Sequence, residues 1–166
     1  TAFDNFMHYF NENTTNERAG FLLGYFCTND ASGRFTRVTE FLPKLDTKGT
    51  PASVTITKED FLYANNEAER KKLQIVGWVH SHPDIPTAPS GHDVFIMRNF
   101  FQDADLVTLI IDPVKKRVGR FSVKESISTN DGGFYLVGNN HRRGVGSEFT
   151  YTTATFFGDP NGEEYN

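Results

Sequence analysis

The sequence predicts an α/β fold in which a mixed β-sheet is flanked by about three helices. Apolar runs of strand length recur at 20–26, 74–80 and 106–111, and helix signals mark three other segments. Strands and helices do not alternate strictly, which argues for a mixed α/β/α sandwich rather than a repeated strand–helix unit. With 166 residues the chain suits one domain, 1–166, built on a core at about 3–124 and a C-terminal extension at 125–166. The hydrophobic share is modest, but 16 Phe and 6 Tyr supply large apolar surfaces for a core of this size.

Taken in order, Phe3, Phe6, Met7 and Phe10 recur at helical spacing and predict a short first helix, with His8 off the stripe and facing solvent. The run from Gly20 to Phe26 reads as a buried strand, with Glu17 just before it. A turn at 28–33 leads to a second strand at 35–42, so the pair is a hairpin. Residues 46–51 read as loop and 52–56 as a further strand. Thr57 and Asp60 form a capping-box pattern ahead of a helix at 58–72, for which Phe61, Leu62 and Leu73 are the expected apolar contacts. The strand at 74–80 runs into a loop stiffened by Pro83, Pro86 and Pro89. Ser90 and Asp93 stand three apart, the spacing of a helix start, before an apolar-rich segment ending at Phe101. Strands at 106–111 and 118–123 follow, joined by a turn at Asp112 and Pro113. Beyond Glu125 the chain is rich in Gly, Asn, Ser and Thr, with strands expected at 133–137 and 149–157.

A net charge of -4 gives no overall positive field, so neither nucleic acid nor an anionic membrane is an expected partner. The single cysteine, Cys27, excludes an internal disulfide and any multi-cysteine zinc site, including that of a zinc nucleobase deaminase. No apolar stretch approaches the length of a membrane span, and the expected location is cytoplasmic.

The chemistry concentrates between His80 and Asp93. Side chains two apart on a strand share a face, so His80 and His82 can present their imidazoles together while Ser81 points away. Asp93, at the start of the next helix, can supply an oxygen as third ligand. Two imidazoles and one carboxylate match catalytic zinc, which keeps its fourth position open.

The pattern His-x-His, seven residues, then Ser-x-x-Asp resembles the signature of the JAMM (MPN+, JAB) zinc metalloproteases at every position. Further agreement comes from the segment Glu17 to Gly24, from Ile75 to Val79 leading into the histidines, and from Leu109 to Pro113. The resemblance implies a cytidine-deaminase-like three-layer MPN/JAB fold around a curved mixed sheet. It also implies one catalytic Zn2+ held by His80, His82 and Asp93, whose activated water attacks an amide carbonyl. Glu17 would be the proton-handling base, and Ser90 would donate to the oxyanion. The implied substrate is a ubiquitin or ubiquitin-like protein joined to a lysine or peptide. Insertions that grip ubiquitin chains in eukaryotic members look short or altered at 65–73 and 124–146. That points to a prokaryotic member with a ubiquitin-like modifier and its conjugates as partners, alongside E1/E2-like conjugation proteins.

Simpler readings stand beside these. Ser90 and Asp93 can be no more than a helix cap and its partner, and Glu17 a solvated residue before a strand. His92 and Asp84 read as surface and turn residues, Cys27 as a buried structural cysteine, Trp78 as core, and Arg142 and Arg143 as solvated. Two further functions remain open: hydrolysis of another amide, as in a phage or cell-wall setting, and a non-catalytic MPN scaffold.

Overall fold

In the computed structural model, residues 2–30, 33–46 and 48–123 are described, together with short strands at 127–129, 134–137, 142–145 and 148–150. The order is α1 (Ala2–Asn11), β1 (Ala19–Asn29), β2 (Gly33–Pro43), α2 (Lys58–Arg70), β3 (Gln74–Ser81), α3 (Gly91–Phe100), β4 (Val107–Asp112) and β5 (Arg117–Val123). After these come β6 (Ile127–Thr129), β7 (Phe134–Val137), β8 (Arg142–Val145) and β9 (Glu148–Thr150). The main sheet is curled and runs β2-β1-β3-β4-β5-β6, with β9 also against β5, while β7 and β8 pair separately. Among the described strands only β3 and β4 pair in parallel, because α3 carries the chain back between them.

Alternation along the central strands divides their apolar side chains between two layers. Leu22, Val79, Leu109 and Ile111 pack with Phe6, Met7 and Phe10 of α1. Phe21, Leu23, Trp78 and Ile110 face the other way, toward Ala64 and Ala68 of α2 and Ile96, Met97 and Phe101 at α3. The sheet is therefore the middle of three layers, and His80, two residues after Trp78, belongs to the α2/α3 side. Gly77 is required at the parallel crossing, since a Cβ there would lie 2.0 Å from the Val107 carbonyl oxygen.

Three expectations are corrected. Residues 52–56 are not a strand: Thr50 and Ser53 form an isolated bridge across a tight turn, and Val54 and Ile56 reach the core from irregular backbone. Leu62 is 63% exposed, because α2 turns its small Ala64 and Ala68 to the core and leaves Leu62 outside. Cys27 is only half-buried, toward the exposed end of β1 where Tyr25 and Phe26 also reach solvent. The strand expected at 149–157 is seen as β9, and its remainder lies outside the described residues. Arg142 and Arg143 fall in β8, with side chains outside the description. Among the described residues no helix is long and apolar enough to cross a membrane.

Candidate metal centre

β3 ends in His80 and Ser81, and His82 follows at once, tied to the sheet by its N–H to the Ile111 carbonyl at 2.7 Å. The two imidazoles meet on one face, Nε2 to Nε2, at 3.1 Å. Asp93 arrives from the first turn of α3. Its Oδ1 lies 3.0 Å from His80 Nε2 and its Oδ2 3.2 Å from His82 Nε2. The carboxylate thus meets the two imidazoles through different oxygens, and one donor atom from each of the three residues lies within 4.8 Å of the others, a grouping that could hold a metal ion. All three residues are almost wholly buried.

The electrostatics are those of a site prepared for a cation. His82 Nδ1 lies 2.8 Å from the Pro86 carbonyl, which selects the Nδ1–H tautomer and leaves the Nε2 lone pair facing inward. Burial drives the His80 imidazole toward its neutral form, although Asp93 opposes this. For His82 burial acts in the same sense but loses to Asp93, the Pro86 carbonyl and Glu17, so its pKa is raised. Asp93 is also penalised by burial, yet the two histidines beside it and the Ser90 N–H hold its carboxyl far below the usual carboxylate range.

Glu17 is brought in by strand register. Ala19 pairs with His80, and two hydrogen bonds of 2.9 Å, Ser81 N–H to the Arg18 carbonyl and Arg18 N–H to Ser81 Oγ, continue the contact past the end of β1. The Glu17 N–H donates to the Thr50 carbonyl at 2.8 Å. Gly49 is needed beside it, because a Cβ there would lie 1.9 Å from the Glu17 carbonyl oxygen. Glu17 Oε1 ends 3.8 Å from His82 Nε2, near the triad but not bonded to it. Burial, followed by the nearby Asp93 charge, raises its carboxyl to about 7 against the attraction of His82.

Ser90 is the exposed member of the set. It caps α3, its Oγ accepting the Asp93 N–H at 3.2 Å while Asp93 Oδ2 accepts the Ser90 N–H at 2.6 Å. The cap uses the oxygen as acceptor, so it does not consume the one hydroxyl proton. Capping and donation to a substrate are thus compatible. Of the neighbours, His92 is exposed and bonds Thr55 at 3.3 Å, and Asp84 pairs with Lys115 at the rim.

These observations are matched by comparison with known proteins. The family described as prokaryotic homologs of the JAB domain matches residues 1–124. The chain belongs to that family. Two solution structures share the fold of this JAB domain. One, from Desulfitobacterium hafniense, is 24% identical, covers 76% of this chain and 84% of its own, and has a TM-score of 0.56. The other, from Salinibacter ruber, is 19% identical over 89% of this chain and 95% of its own, with a TM-score of 0.54. No curated protein matches.

Ser81 is the positioning residue that spacing alone did not reveal: it is fully buried, on the face away from the imidazoles, and accepts the N–H next to Glu17. Ser81→Ala leaves the Arg18 N–H unpaired, at an expected cost of about 1–3 kcal/mol of stability. Chemical denaturation measures it.

Proposed function

We propose that this JAB domain is a zinc-dependent isopeptidase that releases a ubiquitin-like modifier from a target lysine or peptide. The observation that carries the reading is the convergence of His80 Nε2, His82 Nε2 and an Asp93 carboxylate within 3.2 Å of one another, with Glu17 3.8 Å away. His80, His82 and Asp93 would hold the ion. When bound, zinc supplies Lewis acidity, bringing a coordinated water from a pKa of about 15.7 to near 7 and polarising a carbonyl.

The protein's own groups supply the remainder. Glu17, a buried carboxylate 3.8 Å from His82 Nε2, takes a proton from the attacking water and passes it to the departing amine. Ser90, at the exposed edge, donates its proton to the oxygen of the attacked carbonyl, a contribution of about 3–4 kcal/mol in comparable sites. Asp93 accepts the Ser90 N–H, which orients its carboxylate toward the two imidazoles. Because water is the nucleophile, no covalent enzyme intermediate is required.

The modifier and any E1/E2-like partners rest on the resemblance of the signature. The test is incubation of purified protein and zinc with modifier–target conjugates, followed by intact-mass analysis. The expected product is free modifier ending at its natural C-terminus, absent with chelator. Cleavage of simple peptides alone would move the substrate to another amide, and no cleavage of either, with zinc bound, would favour a scaffold. Ser90→Ala is expected to bind zinc normally and lose about 10²-fold in kcat. Unchanged kcat would leave Ser90 as a helix cap only.

A further inference from the structure

The two histidines are held in place by different means. His82 is fixed through its outer nitrogen by the Pro86 carbonyl. His80 Nδ1 is buried and has no hydrogen-bond partner among the described residues. A histidine ring has a broad, roughly two-fold torsional preference at χ2, and with no partner on Nδ1 its polar contacts hold it from the Nε2 side alone, where Asp93 Oδ1 lies at 3.0 Å. What the His80 ring does have is a flat aromatic neighbour. Trp78 lies against it with centroids 4.2 Å apart and planes 15° from parallel. Phe101 also stacks with the indole, at 5.6 Å and 9°. The indole is itself locked, its Nε1–H donating to Thr108 Oγ1 at 2.8 Å in a buried bond. All three rings are essentially excluded from solvent.

We propose that Trp78 is a positioning residue for the metal centre, fixing the His80 ring and favouring its cation-bound form. This rests on the reading of His80, His82 and Asp93 as metal ligands. The strand period places residues 78 and 80 on one face, so the same alternation that brings the histidines together puts the indole beneath the first of them. An imidazole that has given its Nε2 lone pair to a dication is electron-poor, and the face of an indole carries the negative part of its quadrupole. The stack is therefore stronger with the ion bound than without it. Ordinary core packing would stabilise loaded and unloaded protein alike.

Because Trp78 is the chain's single tryptophan, mono-, di- and trifluorotryptophan incorporated during expression change the electron density at this position alone, with little change of shape. Zinc affinity is measured by chelator competition on each protein, and the fold of the unloaded form by circular dichroism and thermal melting. The expected result is a stepwise weakening of zinc binding, about three- to tenfold across the series, with unloaded melting temperatures nearly constant. Trp78→Phe, which keeps a ring, should bind zinc better than Trp78→Leu, which is expected to lose about tenfold. Equal affinity across the fluorinated series and in Trp78→Leu would overturn the inference and leave Trp78 as core. Failure of the unmodified protein to bind zinc at all would instead overturn the metal centre.

Discussion

Replacing His82 by Ala is expected to abolish zinc binding and turnover together while leaving the chain folded. Its Nε2 is one of three donors, and two remaining ligands do not make the closed side that catalytic zinc requires. The ring also carries the hydrogen bond to Pro86, so the proline-stiffened loop between β3 and α3 loses its inner anchor. The cleanest readout is linkage. Zinc at about a hundred times its dissociation constant stabilises a protein by about 2.7 kcal/mol, which for a domain near this size is a rise of roughly 5–11 °C in Tm. The natural chain should show that rise and His82→Ala none. His80→Ala should behave alike toward the ion but melt lower without it, since it also removes the ring stacked on Trp78. Retained turnover in metal-free His82→Ala would refute the proposed chemistry.

The grouping of His80, His82 and Asp93 was legible in the sequence because the three lie within fourteen residues and obey two short-range rules, strand alternation and helix capping. Glu17 is different. It is distant from the histidines in sequence, and only the antiparallel register of Ala19 on His80 brings it in, so the family resemblance supplied what spacing did not. The α1 stripe and the caps of α2 and α3 were readable for the same local reason. The segment 52–56 misled because Val54 and Ile56 alternate like a strand, yet their burial comes from a tight turn that packs beside Glu17. The roles of Ser81 and Trp78 depend on contacts with Arg18 and Thr108, partners that pairing with β1 and β4 determines and no pattern within β3 announces.

Glu17→Gln separates the metal from the chemistry. The carboxylate stands 3.8 Å from His82 Nε2 and is not among the three converging donors, so the amide variant is expected to keep stoichiometric zinc. An amide cannot accept the water's proton, and kcat should fall by about 10²–10⁴-fold. The pH profile gives the sign. Burial raises the carboxyl to about 7 in the metal-free site, so below that value the base is protonated and idle, and above it ionised and competent. A dication alongside favours the ionised form and moves the limb to lower pH. The natural chain should therefore show kcat/KM rising with pH to a plateau at or below neutrality, and the residual activity of Glu17→Gln should lack that limb. An unchanged limb in the variant would assign it to another group. Full activity in Glu17→Gln would remove Glu17 from proton transfer and leave it a buried carboxylate held by the Thr50 turn.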